Sequence, residues 1–143
     1  MRAALITGRE QIELREFPEP EPLAETAVLR VDRCGICGTD VAAYRTGHPY
    51  APFLCGHEWT GTVIAAGREV SDLREGDRAV MGVPVACGGC AECRAGHAHR
   101  CAAIMALAYG IHPYTPPHGG YAPRIAVPAE ALVPVPDGLS TDD

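Results

Sequence analysis

The sequence has no long apolar run, few aromatic residues and a deficit of positive charge. No stretch approaches the roughly eighteen consecutive apolar residues of a membrane-spanning helix, and aromatic residues make up 6% of the 143 residues. Lys and Arg number 12 against 18 Asp and Glu, for a formal net charge of −6. Nucleic-acid binding requires a basic patch. We therefore expect neither a membrane protein nor a nucleic-acid-binding protein.

A nucleotide-binding loop and an export signal are also missing from the sequence. No G-x-G-x-x-G stands between a strand and a helix, as dinucleotide-binding domains require, so no cofactor-binding residue is assigned. Residues 1–6 are too short for the apolar region of a signal peptide. The cysteines number seven, an odd count that does not suit a framework of disulfides. We expect a cytoplasmic protein with reduced thiols.

Short alternating segments, separated by 16 glycines and 13 prolines, predict a mainly β fold. Hydrophobic residues make up 47% of the chain, which argues against disorder. Many short strands of this kind are typical of a small barrel or sandwich. Gly61 inside one of them suggests a bulge or a close approach of two backbones. The predicted strands are 3–7, 11–15, 27–32, 59–66, 78–85 and 124–127, and one short helix is predicted at 40–44.

Four cysteines in the pattern C-x2-C-x2-C-x7-C predict a structural zinc site. Four thiolates close a tetrahedron around Zn²⁺, and the metal orders a loop with few apolar residues of its own. A bacterial ferredoxin cluster would have three residues before its last cysteine and a proline after it. The iron–sulfur alternative and a set of free thiols therefore fit the sequence less well than zinc does. His97 and His99 lie in the same loop and could substitute for one thiolate. The four cysteines are Cys87, Cys90, Cys93 and Cys101.

A second group upstream has the mixed ligands of a catalytic zinc. Cys37 is followed twenty residues later by His57 and Glu58, and a set of one thiolate, one imidazole and one carboxylate leaves a position for water or substrate. The hydroxyl of Thr39 could bond to that substrate oxygen, and Asp40 is interpreted as a capping or supporting carboxylate.

Each part of this upstream group has another interpretation. Cys34-x-x-Cys37 could be a redox pair or half of a different zinc site. A lone histidine such as His57 is commonly a hydrogen-bonded core residue. Cys55 could face the metal or fill the core, and Trp59 could line a substrate pocket or the core.

The order of the motifs resembles that of the zinc-dependent medium-chain alcohol dehydrogenases. Five stretches carry the resemblance: C-G-I-C-G-T-D, then G-H-E-x2-G-x5-G-x2-V, then G-D-R-A-V, the four-cysteine segment, and G-G-Y-A leading to V-P. It implies a GroES-like small β-barrel with short helices and a zinc-bound four-cysteine lobe at about 86–102. Residues 1–143 would be the catalytic domain, and the Rossmann domain would be missing after 143.

The same resemblance implies a function. Cys37, His57 and Glu58 would lie at the catalytic zinc, Thr39 would relay the substrate's proton, and hydride would pass from a zinc-stabilised alkoxide to NAD or NADP in a full-length protein. The substrate would be a small alcohol or carbonyl compound, and homo-oligomers would require the missing domain. Ala42 departs from the pattern, because a relay histidine stands there in some relatives.

Without the cofactor domain, the chain is expected to be inactive. The alternative is a stand-alone, zinc-stabilised GroES-like interaction module without catalysis. An open Cys–His–Glu set with a neighbouring hydroxyl favours the enzyme, because a purely structural domain has no use for a half-coordinated metal.

Overall fold

The computed structural model describes residues 1–48, 55–82, 86–108 and 116–140, and the fold in these ranges is mainly β. None of the helices there is long and apolar enough to cross a membrane. The strands are β1 (Arg2–Gly8), β2 (Gln11–Glu16), β3 (Thr26–Cys34), β4 (Trp59–Ala66), β5 (Arg78–Met81), β6 (Arg124–Pro128) and β7 (Leu132–Pro134). The helices are α1 (Gly38–Thr46), α2 (Ala91–Arg94) and α3 (Ala102–Ala108), with single 3-10 turns at Ala98–Arg100 and Ala129–Ala131.

The strands form two antiparallel sheets around a small aliphatic core. β1 and β2 make a hairpin, and the other strands form a sheet in the order β6-β3-β4-β5-β7. In that sheet Leu29 faces Val63 on one neighbouring strand and Ile125 on the other. All three are at most 1% exposed, and burying such a side chain contributes about 1.5–3 kcal/mol. This ladder fixes the register of the central strands.

The pairing of β3 with β4 brings two distant segments together. The strands are antiparallel with Cys34 opposite Trp59, so the chain leaving β3 lies beside the chain entering β4. The N–H of Gly35 continues the ladder by donating to the carbonyl of Glu58 at 2.7 Å. Residues 35–40 and 55–58 therefore meet at one edge of the sheet.

The predicted close approach at Gly61 is confirmed. A Cβ atom on Gly61 would lie 2.6 Å from the carbonyl oxygen of Arg30 in β3. The register of β3 shifts directly opposite, between Val31 and Arg33. Only glycine fits here without moving the neighbouring backbone.

The predicted mainly β class is confirmed, and individual elements differ at their ends. Strand 59–66 is found as predicted, whereas the helix predicted at 40–44 runs from Gly38 to Thr46. The strand predicted over 78–85 ends at Met81, and residues 83–85 lie outside the described ranges. β7, α2 and α3 had no prediction.

Candidate metal centres

The upstream group is assembled where β3, α1 and β4 meet. Cys37 is the residue that precedes the first turn of α1, while His57 and Glu58 directly precede β4. One ligand atom from each of Cys37, His57 and Glu58 lies within 4.8 Å of the other two. Cys37 and His57 are partly buried and Glu58 is exposed. The group is therefore open to solvent on the glutamate side.

Thr39 lies beside this group. Its Oγ1 is 3.3 Å from Nε2 of His57, at hydrogen-bond distance. The hydroxyl can donate or accept, so it can serve either tautomer of the imidazole. Its place in the first turn of α1 follows from its spacing of two residues from Cys37.

Asp40 joins the two halves of the group. Its carboxylate accepts hydrogen bonds from the N–H of Cys37 at 3.1 Å and of Gly56 at 3.2 Å. The Oδ2 atom, which accepts the N–H of Cys37, also lies 3.8 Å from Nδ1 of His57. The side chain of Asp40 is 2% exposed. A carboxylate on the Nδ1 side favours a proton on that nitrogen, which leaves Nε2 available as a ligand. The interpretation of Asp40 as a capping and supporting residue agrees with this geometry.

Gly56 keeps the chain in the conformation that presents His57. Its φ is +75°, in the left-handed region, and a Cβ atom there would lie 2.5 Å from Cδ1 of Tyr121 and 2.8 Å from Sγ of Cys34. Both the backbone and the space therefore require glycine. No sequence pattern had indicated the contact with Tyr121, because it joins residues far apart in the chain.

Cys34 lies outside the group. It is packed against the core, and burial, followed by the charges of Asp40 and Glu58, raises its pKa to about 11. The thiol is therefore protonated at neutral pH and a poor nucleophile, and its sulfur does not belong to the group of Cys37, His57 and Glu58. All seven cysteines are free thiols.

Cys55 and Trp59, the two ambiguous neighbours of His57, both belong to the interior. Cys55 is 4% exposed and packs against Ile6 and Ala43, while its sulfur accepts the N–H of Ile6 at 3.5 Å. Trp59 is 5% exposed within the main core. The structure therefore places both in packing roles.

The four downstream cysteines form a second, compact cluster. Their sulfur atoms all lie within 4.8 Å of one another, and sulfurs bound tetrahedrally at about 2.3 Å from zinc are about 3.8 Å apart. α2 and the Ala98–Arg100 turn place the last three ligands in space. We call residues 86–102 the cysteine lobe. The cluster members are Cys87, Cys90, Cys93 and Cys101.

Backbone N–H groups point at these sulfurs. The N–H of Cys87 donates to Sγ of Cys101 at 3.3 Å, and this donor, with that of Ile104, lowers the pKa of Cys101 to about 6. Donors from Ala102 and Cys93 lower the pKa of Cys90. Burial and the neighbouring thiols raise the pKa of Cys93 to about 12.

The donor chemistry of both groups fits zinc. A cluster of four sulfurs with N–H donors around it is suited to a closed, structural Zn²⁺ site. A thiol, an imidazole and an exposed carboxylate, with Asp40 behind the imidazole, are suited to an open site with room for a further ligand. Within the described ranges these are the two groups of three or more such ligands.

Other histidines lie outside the two metal groups. His48 is exposed and outside both groups. Residues 109–115 lie outside the described part of the chain. His118 is 5% exposed.

Comparison with known proteins agrees with this arrangement. The model of the family "Alcohol dehydrogenase GroES-like domain" matches residues 24–137. An uncharacterized zinc-type alcohol dehydrogenase-like protein of Haemophilus influenzae is 34% identical over 142 residues, which cover 97% of this chain and 40% of that protein. Sorbitol dehydrogenase of Bacillus subtilis is 30% identical over 149 residues, with 100% of this chain and 40% of that protein covered.

A solved structure of an alcohol dehydrogenase is also similar to this chain. An alcohol dehydrogenase from Escherichia coli CFT073, complexed with NADH, superimposes with a TM-score of 0.74 at 30% identity, over 99% of this chain and 40% of that one. The chain thus spans about 40% of the length of the relatives it matches. The family match covers most of the chain and confirms the resemblance seen in the motifs. The chain belongs to the alcohol dehydrogenase GroES-like domain family.

Proposed function

We propose that this chain is the zinc-binding catalytic part of an NAD(P)-dependent dehydrogenase that acts on small alcohols or polyols. The observation that carries the proposal is the convergence of Cys37, His57 and Glu58 within 4.8 Å, with the Thr39 hydroxyl 3.3 Å from the imidazole. The names of the relatives support the class of reaction: sorbitol dehydrogenase for one, and an alcohol dehydrogenase complexed with NADH for another.

The ligand set gives the site its chemistry. A zinc ion held by Cys37, His57 and Glu58 would supply a Lewis acid that polarises a substrate oxygen and lowers its pKa. His57 is oriented by the buried Asp40 carboxylate 3.8 Å from its Nδ1, which makes the imidazole a better ligand. Glu58 is exposed, so its carboxylate has room to move when a substrate approaches.

The proton of the substrate alcohol passes to Thr39. Its hydroxyl lies at the Nε2 edge of His57, the edge away from the Asp40 carboxylate on the Nδ1 side. A hydroxyl can accept that proton while it donates its own. Ala42 offers no imidazole to extend the relay, so water on the exposed face of α1 takes the proton onward.

The nicotinamide cofactor is held outside residues 1–143. The proposal assigns it to a domain that corresponds to the remaining length of the relatives. The cysteine lobe binds the second, structural zinc, and the chain by itself has no turnover. The enzyme as a whole is proposed to be cytoplasmic.

Cobalt substitution tests the open site in this chain. Co²⁺ bound by one thiolate gives a charge-transfer band, and a primary alcohol or an aldehyde that enters the open position shifts its d–d absorption. With the four-cysteine lobe kept loaded with Zn²⁺, which gives no such band, we expect the band in the wild type and its loss in Cys37→Ser. A wild-type chain that binds metal only at the four cysteines would refute the proposal and favour a non-catalytic module.

Substitution of Thr39 tests the relay in the complete natural gene product. Thr39→Ser retains the hydroxyl and should retain activity with NAD or NADP and an alcohol. Thr39→Val removes it without changing the shape, and kcat should fall by about two orders of magnitude or more. An unchanged kcat in Thr39→Val would remove this hydroxyl from the mechanism.

A further inference from the structure

The cysteine lobe carries two histidines and a carboxylate that neither metal centre uses. His97, His99 and Glu92 lie between or beside the cysteines in sequence, but they are not members of the four-sulfur cluster. All three are accessible to solvent. The side chains of His97 and Glu92 are 52% and 44% exposed, and His99 is exposed as well. A contact between Glu92 and His97 nevertheless gives part of this group a defined arrangement.

His97 is held in one orientation by Glu92. Its Nδ1 lies 3.2 Å from Oε2 of Glu92. A carboxylate can only accept, so Nδ1 carries the proton and the lone pair is on Nε2. This is the arrangement by which carboxylates position metal-binding imidazoles. Nε2 is therefore available as a ligand without any change of tautomer.

His99 is at a suitable distance for sharing a metal with His97. The two rings are 6.2 Å apart between centroids, with an angle of 64° between their planes. A metal about 2.1 Å from each nitrogen lies about 3.2 Å from each ring centroid, which puts the centroids about 5.2 Å apart at a tetrahedral angle and about 6.4 Å apart when opposed. The observed separation lies near the opposed end of that range, so the exposed side chains would turn toward each other to reach a tetrahedral angle.

Backbone hydrogen bonds hold the turn that carries the pair, and the guanidinium of Arg94 in the same lobe is bound to a carbonyl. The N–H of His97 donates to the carbonyl of Glu92 at 2.8 Å, and that of Arg100 donates to the carbonyl of His97 at 2.9 Å. Arg94 directs its guanidinium to the carbonyl of Gly89 at 2.5 Å. These backbone hydrogen bonds thus close the turn that carries the two histidines.

From this geometry we infer that His97 and His99 form a third, labile divalent-metal site on the outside of the lobe, with Glu92 as its positioning carboxylate. Imidazole nitrogens suit Zn²⁺, Ni²⁺ and Cu²⁺, and water completes the coordination of so exposed a pair. Two imidazoles bind zinc more weakly than four thiolates, so the site fills only after the lobe. The inference is independent of the proposed enzymatic function.

A competition titration tests the site. The chain is loaded with zinc, freed of excess metal, and titrated with Zn²⁺ against a chromophoric chelator. His97→Ala and His99→Ala should each bind one weak zinc fewer than the wild type. Glu92→Gln should retain this zinc with an affinity lower by about 10-fold or more. His48→Ala, which removes an exposed histidine outside the lobe, is the matched control and should behave as the wild type.

A second measurement uses the unmodified chain. Paramagnetic Ni²⁺ added to the zinc-loaded protein should broaden the imidazole proton resonances of His97 and His99 before that of His48. Equal broadening of all three would overturn the inference. So would a number of weakly bound zinc ions that is unchanged in both alanine variants, or one that His48→Ala lowers equally, because the zinc at Cys37, His57 and Glu58 is common to all of them. A Glu92→Gln variant of wild-type affinity would contradict the positioning carboxylate.

Discussion

Removal of the Asp40 carboxylate should damage stability and the open metal site together. The side chain is 2% exposed and accepts the N–H groups of Cys37 and Gly56. Asp40→Ala leaves both donors without this acceptor. At about 1–3 kcal/mol for each buried donor left unsatisfied, and with water entering the space, we expect a loss of about 2–5 kcal/mol in the free energy of unfolding. Asp40→Asn retains one acceptor oxygen and should lose about half as much.

Urea unfolding followed by circular dichroism measures the stability, and zinc analysis after dialysis measures the sites. Zinc affinity at Cys37, His57 and Glu58 should fall by about 10- to 100-fold, the usual effect of losing a carboxylate behind a ligand histidine, while the cysteine lobe retains its metal. Asp137→Ala, which removes an exposed carboxylate, should stay within about 0.5 kcal/mol of the wild type. An Asp40→Ala protein with wild-type unfolding energy and wild-type zinc content would refute the assigned role.

Three further outcomes are expected. Cys93→Ala should lose the zinc of the cysteine lobe and accelerate amide hydrogen exchange there, because metal binding orders that loop. Exchange in β4 should stay unchanged, and unchanged exchange in the lobe would contradict this expectation. In the zinc-free protein the pKa of Cys101 is lowered from 9.0 to about 6, so its contribution to stability is complete above about pH 9 and is lost as the pH falls through about 6. Thermal melts of chelator-treated protein should therefore rise from pH 6 to pH 8.5, and by less in Cys101→Ser; equal slopes would exclude this thiolate. Gly56→Ala should destabilise the chain by about 2–4 kcal/mol in urea unfolding, from left-handed strain plus the clash with Tyr121, whereas Gly76→Ala, with φ +93° and open space around it, should show the backbone strain alone.

The sequence identified the chemistry of the metal groups better than their surroundings. Cys37, His57 and Glu58 could be grouped because thiol, imidazole and carboxylate in that order match a known zinc signature. The structure then shows that β3–β4 pairing brings these residues together. Spacing alone could not reveal this pairing, because it depends on side chains such as Leu29 packing across strands.

Other features had no local signal. The contact of Tyr121 with Gly56 joins residues 65 positions apart in the printed sequence, and the N–H donors around the cysteine sulfurs depend on backbone direction. β7 is three residues long and pairs with β5, so its periodicity is too short to detect. The ends of α1 were missed as well: the Asp40 carboxylate binds the N–H of Cys37 at the start of the helix, and Gly47 ends it in a left-handed conformation.

The cysteine lobe differs from the sheet in what holds it together. α2 and the Ala98–Arg100 turn bury no side chain, whereas the sheet has Leu29, Val63 and Ile125 at its centre. Two cooperative units of very different local stability follow from this contrast. A cell short of zinc would retain the sheet and expose the lobe to proteases, so nicking between residues 86 and 102 would mark molecules made under metal limitation. The lobe would then report the zinc supply of the cell before any loss of the sheet.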